Sequence, residues 1–272
     1  MDPEVARHAV FDTDMQIHRL CEEPVVAGAA EELRASRRPV RVVAFSKVEF
    51  KGAYIQRLAL LQNKVRDSDS LQELFARVKN TGGRGAQMML AQLIRCIGRH
   101  LLDPPWSSAK AELLTHLDAQ VRESWVWFSS SVDGEVDDAL CTRATEPPKR
   151  VGSGWDVQIP ECRKKNTRCK VNAFMVAEKE AIQRVLDVLA GLPAEEMTDE
   201  LRRIRREAAD VHSTGSYKWE GTTCRRVGDL LVALHARGAR LLVTSNHREH
   251  THLARAVGYP LEVFQYAQLR LK

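Results

Sequence analysis

Four short apolar runs constrain this chain more than any other feature: Ala9–Phe11, Val40–Phe45, Leu241–Val243 and Leu261–Phe264. Each is too short for a buried helix, and the first three run directly into polar, turn-forming residues followed by helical periodicity. Strand and helix therefore alternate at both ends of the sequence. Alternation of this kind predicts an α/β fold with a mostly parallel sheet covered by helices on both faces. Helices are expected from about Met15, through Glu31–Ser36, from Ser46, and through Val227–Leu234.

The middle of the chain has a different rhythm. From Leu60 to Gly215 the pattern is almost entirely helical, with Ser70 and Glu73 forming a capping box and Leu90, Leu93, Ile94, Ile97 and Leu101 on one stripe. Ser107–Phe128 and Val171–Leu189 are also read as helices, and TRATEPPKRVGSGW (142–155) as an exposed loop. The expected organisation is an α/β domain built from residues 1–59 and 216–272, interrupted by a mainly helical insertion over 60–215.

With 272 residues and 44% hydrophobic content the chain can bury a sizeable core, and it contains no run of 18 apolar residues. A cytoplasmic protein with no membrane partner is the expectation, and six scattered cysteines fit reduced thiols better than a disulfide framework. The net charge of +5 is mild, but basic residues cluster at 37–41, 163–170 and 202–206. Such runs favour polyanionic partners, although basic helix faces are often simply solvated.

In parallel α/β sheets the chemistry gathers where strands end at their carboxyl edge. The first strand ends in Asp12-Thr13-Asp14, two like charges that repel unless a cation lies between them or a turn absorbs one of them as a cap. The second leads into FSKVEF, with Glu49 on the first helical turn. The third ends in Thr244-Ser245-Asn246, and the helix before it carries Asp229 away from its apolar stripe. Four oxygen-bearing side chains, Asp12, Glu49, Asp229 and Asn246, are thus available to one end of one sheet. Mg²⁺ or Mn²⁺ takes such hard ligands.

The order of these segments resembles the PIN-domain family of metal-dependent nucleases, over about 110 residues at the two ends of the chain. FDTDM, FSKVEF, GDLLVAL and LLVTSNHREHTHLARAVG are similar to that family's four acidic segments in turn. The resemblance implies a PIN-like three-layer α/β/α fold with Asp12, Glu49 and Asp229 as metal ligands and Asn246 in the fourth catalytic position, orienting a water or a phosphate oxygen. It implies phosphodiester hydrolysis to 5′-phosphate and 3′-hydroxyl ends, on RNA ahead of DNA. Lys47, Lys51, Arg225 and Arg226 flank the acids and are expected to receive backbone phosphates. The chain departs from the family in having Asn246 rather than an aspartate, and in the length of the segment between Glu49 and Asp229.

Other readings compete. A PIN-like scaffold that has lost catalysis with its fourth acid would bind nucleic acid or a protein, and the helical insertion could seat a protein partner. A haloacid-dehalogenase-like phosphatase also begins with D-x-D after a strand, but it needs a lysine and aspartates downstream of Asn246, where this chain has only Lys272 and no Asp. His247, His250 and His252 are read as a solvated helix start, and Cys141, Cys162 and Cys169 as ordinary thiols rather than a zinc site. Trp125, Trp127 and Phe128 are expected in the core. Asp12→Asn and Asp229→Asn are both expected to stabilise the metal-free protein, on the order of 1 kcal/mol, by relieving repulsion.

Overall fold

A computed structural model describes residues 8–21, 24–100, 105–136, 141, 146–157, 170–215 and 227–266. In chain order the elements are β1 (Ala9–Phe11), α1 (Thr13–Cys21), α2 (Pro24–Ser36), β2 (Val40–Val43), α3 (Ser46–Phe50), a π-helical turn (Lys51–Ile55), α4 (Gln56–Arg66), α5 (Leu71–Lys79), α6 (Gly83–His100) and α7 (Trp106–Ser130). There follow β3 (Gly134–Val136), β4 (Lys149–Val151), β5 (Gly154–Asp156), α8 (Val171–Ala177), α9 (Lys179–Ala190), α10 (Asp199–Thr214), α11 (Gly228–Ala236), β6 (Leu241–Thr244), α12 (His247–Val257) and β7 (Leu261–Val263). No helix among the described residues is long and apolar enough to cross a membrane.

The chain divides into two compact units: Met1–Phe50 with Ser131–Thr145 and Pro160–Lys272, and Lys51–Ser130 with Glu146–Ile159. The first holds a five-stranded sheet in the order β3-β2-β1-β6-β7, with every neighbouring pair parallel. All three residues of central β1 are buried. Since successive side chains point to opposite faces, both faces of β1 must be covered, which is the condition that a three-layer α/β/α arrangement meets. Helix α11 is buried on nearly every side, from Leu230 through Ala236. That exceeds the single apolar stripe read from its sequence. Its mostly apolar sequence, GDLLVALHA, allows this.

The register explains where a site can form. Phe11 lies opposite Val42 on one side and Val243 on the other, so β1, β2 and β6 end nearly level. From central β1 the chain first builds outward through β2 and β3, then returns to the other side of β1 for β6 and β7. Such a reversal leaves a crevice at the carboxyl ends of the two strands that flank it, here β1 and β6.

The structure departs from the sequence reading in three places. Gly134–Val136, within the stretch expected to be helical, is a strand paired in parallel with β2. The segment read as an exposed loop overlaps the β4–β5 hairpin, which is antiparallel and tied to α7 through Trp155 Nε1 to Asp118 Oδ1 at 3.0 Å. And α9, expected within the insertion, packs on α10 and on α12 in the unit that holds the sheet. The two units therefore divide the chain differently from 1–59, 60–215 and 216–272.

Among its described residues, the regular elements of the second unit are helices apart from that hairpin. Helix α4 packs on α7, and Trp125 and Phe128 are buried there as expected. Ser70 caps α5 by accepting from Glu73 N at 3.1 Å, while the Glu73 carboxylate accepts from Asp69 N at 2.8 Å. The pairing differs by one residue from an ideal capping box but satisfies the same number of orphan donors.

Candidate metal centre

The carboxyl ends of β1 and β6 carry short, well-anchored side chains. Asp12 follows β1 immediately and is 4% exposed. One of its oxygens accepts from Thr13 N at 2.6 Å and the other from Thr244 Oγ1, at the end of β6, at 2.8 Å. Asp14, in the first turn of α1, accepts from Ser245 N at 2.8 Å and from the Ser245 hydroxyl. The two aspartates of the opening motif thus have separate roles: Asp12 faces the crevice and Asp14 ties α1 to the end of β6. The helix begins at Thr13, so the pair is not spaced as strand residues.

Glu49 and Asp229 come from α3 and α11. Thr13 Oγ1 donates to Glu49 Oε2 at 2.5 Å, and Asn246 Nδ2 donates to Asp229 Oδ2 at 3.2 Å. Asn246 therefore orients a carboxylate directly, a role different from holding water or phosphate. Glu49 crosses the start of α11 so closely that a Cβ on Gly228 would lie 1.8 Å from Glu49 Oε1 and 3.0 Å from its Cδ. Only glycine lets the glutamate lie there. Gly228→Ala is expected to keep the fold, because the carboxylate is the end of a flexible side chain, yet to displace it from Thr13. Divalent-ion affinity should fall about tenfold while unfolding stability changes by less than about 1 kcal/mol. Calorimetric titration and thermal unfolding check this, and unchanged affinity would remove Glu49 from the site.

His250 completes the centre. The sequence reading placed it in a solvated helix start, but it is fully buried. Its Nε2 lies 3.2 Å from Asp12 Oδ2 and 3.9 Å from Asp229 Oδ1. Ligand atoms of Asp12, Asp229 and His250 all lie within 4.8 Å of one another, the one such group of three among the described residues, and this group can hold a metal ion. Glu49 stands beside the trio rather than in it. The signal for His250 was present in the sequence: 250, 253 and 257 share one helical stripe, on which Leu253 and Val257 are also buried. His247 is exposed and His252 half-buried, as a helix start would have them.

The electrostatics show what so much buried acid costs. Burial pushes the Glu49 carboxyl up to about 8, reinforced by the charges of Asp12 and Asp229. Burial likewise raises Asp229 to about 7, with Asp12 adding to the rise and His250 opposing it. Asp14 rises to about 6 through burial and the Asp12 charge. Asp12 is the exception: burial disfavours its charge, but His250, Thr244 and Thr13 N together outweigh this and hold it below the usual carboxylate range. Burial opposes the imidazolium of His250, yet the contact with Asp12 and the charges of Asp12, Asp229 and Asp14 raise it to about 9. Without metal, the cluster thus keeps one firm anion, one firm cation and shared protons.

The expected phosphate-binding residues fare less well. Lys47 pairs with Glu135. Lys51 is 2% exposed, its Nζ donating to the Glu146 carbonyl at 2.9 Å, so it does not present its charge to solvent. In the 202–206 run, Arg202, Arg203 and Arg206 pair with Asp199, Glu200 and Glu207 of the same helix. Arg225, Arg226, Cys162, Cys169 and residues 163–169 of the other basic run lie outside the described residues. Cys141 is buried. No family model, curated protein or solved structure matches this chain.

Proposed function

We propose that this protein is a divalent-metal-dependent nuclease, with Asp12, Asp229 and His250 holding the ion, Glu49 beside them and RNA as its substrate ahead of DNA. One observation carries the reading: two carboxylates and an imidazole converge at the carboxyl ends of β1 and β6, within 4.8 Å of one another. The residues fit a cation. Glu49 and Asp229 there are driven toward protonation by burial, and His250 Nε2 is buried with no hydrogen-bond partner. The resemblance of FDTDM, FSKVEF, GDLLVAL and LLVTSN to PIN-domain segments supports phosphodiester hydrolysis as the reaction, and Mg²⁺ or Mn²⁺ as its ion.

The chain's own residues set the geometry. Thr13 N and Thr244 Oγ1 fix both oxygens of Asp12, Thr13 Oγ1 fixes Glu49, and Asn246 Nδ2 fixes Asp229. Each acid is held by a donor from outside its own element, Thr13 serving both Asp12 and Glu49, so its position survives mutual repulsion. A bound divalent ion would supply positive charge to the scissile phosphate and lower the pKa of an attacking water.

Incubation of the purified protein with mixed RNA and DNA, with Mn²⁺ and with chelator, tests the reading. Cleavage that needs the ion supports it. Binding without cleavage under any ion would make the protein an inactive scaffold, and release of phosphate from small phosphomonoesters would favour the dehalogenase-like alternative.

Asn246→Asp probes the fourth position. It replaces a donor to Asp229 with a like charge, so the metal-free protein should lose on the order of 1 kcal/mol, while the added carboxylate tightens ion binding. The stabilisation produced by saturating Mn²⁺ in thermal unfolding should therefore exceed that of the wild type. An equal or smaller stabilisation would show that position 246 does not sense the ion.

A further inference from the structure

Asp12 and Asp229 alone are hard oxygen donors, but the third side chain of the group is not. His250 Nε2 is buried, has no hydrogen-bond partner of acceptable geometry, and points at Asp12 Oδ2 and Asp229 Oδ1 at 3.2 and 3.9 Å. At the other side of the ring, Nδ1 lies 3.2 Å from Tyr259 Oη, and that hydroxyl lies 3.5 Å from the His250 carbonyl oxygen. With the hydroxyl proton directed at the carbonyl, the tyrosine oxygen accepts from Nδ1–H. When an ion displaces the Nε2 proton, this bond keeps Nδ1 protonated and leaves the Nε2 lone pair facing the two carboxylates. A donor hydrogen-bonded through its far nitrogen, with its near lone pair aimed between two acids, is the arrangement that metal-binding histidines adopt.

We propose that His250 is a direct metal ligand, positioned by Tyr259, and that it makes this a mixed nitrogen–oxygen site selective for first-row divalent ions such as Mn²⁺ and Zn²⁺ over Mg²⁺ and Ca²⁺. The inference rests on the metal-holding half of the reading above and is independent of whether nucleic acid is the substrate. Imidazole suits Zn²⁺ and other first-row ions, whereas Mg²⁺ and Ca²⁺ take oxygen almost exclusively. The hydroxyl of buried Tyr259 contacts both the ring and the carbonyl of His250, so it serves the ring.

The test uses Mn²⁺, Zn²⁺ and Mg²⁺ titrated calorimetrically into the metal-free protein at one pH, with pulsed electron paramagnetic resonance of the Mn²⁺-bound form. The wild type should bind Mn²⁺ at least about tenfold more tightly than Mg²⁺ and show ¹⁴N coupling from a coordinated imidazole. His250→Gln should lose the coupling and most of the preference. Tyr259→Phe, which keeps the ring and the packing, should retain the coupling but weaken Mn²⁺ about tenfold. Mn²⁺ bound without ¹⁴N coupling in the wild type overturns the proposal, whether or not His250→Gln folds. Nitrogen-coupled Mn²⁺ without nucleic-acid cleavage leaves the proposal standing and removes the nuclease reading. Mg²⁺-supported cleavage without nitrogen coupling does the reverse.

Discussion

On the proposed function, Asp12→Asn and Asp229→Asn should each reduce metal-dependent cleavage at least about 10³-fold, since each removes a charged side chain of the candidate metal group that no neighbour replaces. Their effects on stability should have opposite signs. Asp229 is held near 7 against an ordinary 3.8, so above neutral pH its charge works against folding. Removing that charge should stabilise the metal-free protein, on the order of 1–3 kcal/mol at pH 8. Asp12 is held below its ordinary value and faces His250 at 3.2 Å. Its loss leaves a buried imidazolium without its nearest anion, at a cost of about 3 kcal/mol. The sequence-based expectation that both substitutions stabilise is therefore corrected for Asp12, because repulsion among acids was visible in the sequence and the contact of His250 with Asp12 was not. Chemical denaturation of both variants in chelator, beside a cleavage assay, checks this. A variant with normal turnover, or two shifts of the same sign, would contradict the arrangement.

The second large effect is on pH dependence. Glu49, Asp229 and His250 all have folded-state values above their ordinary ones: about 8 against 4.5, about 7 against 3.8, and about 9 against 6.5. A group with a raised folded value binds more protons in the folded than in the unfolded state between those two limits. Stability then falls as pH rises through that window. For the acids the loss runs from about pH 4 to 8, and for His250 from 6.5 to about 9. Asp12 runs the other way, its contribution being lost only as pH falls below the ordinary carboxylate range. Metal-free protein is accordingly expected to lose stability steadily between pH 5 and 8, by several kcal/mol. Saturating divalent ion replaces the protons and should flatten or reverse the slope, because binding to the folded state alone stabilises it and strengthens as the ligands deprotonate. Thermal unfolding at pH 5, 6.5 and 8, with Mn²⁺ and with chelator, reads both curves. A metal-free stability that rises with pH would mean that the buried acids are not strained as described.

Much of this protein could be read from the order of its residues. Apolar runs as short as Ala9–Phe11 and Leu241–Val243, each running into polar residues, located the central strands, because a strand buried on both faces needs apolar side chains at every position. The position of Asp12, Asn246 and Asp229 followed, since residues at strand ends and helix starts are placed by their elements. What the sequence alone could not determine depended on partners distant in the chain. Gly134-Glu135-Val136 has little intrinsic strand character and is a strand because β2 offers it an edge. Lys51 has the composition of a phosphate-binding residue and is buried against Glu146. His250 lies six residues beyond the end of β6, on a helix whose polar start suggested solvent, and only the packing of α12 beside α11 brings its ring to Asp12 and Asp229. Local sequence determines which face of an element is apolar, but the neighbours that a polar group meets once buried are chosen by the tertiary fold.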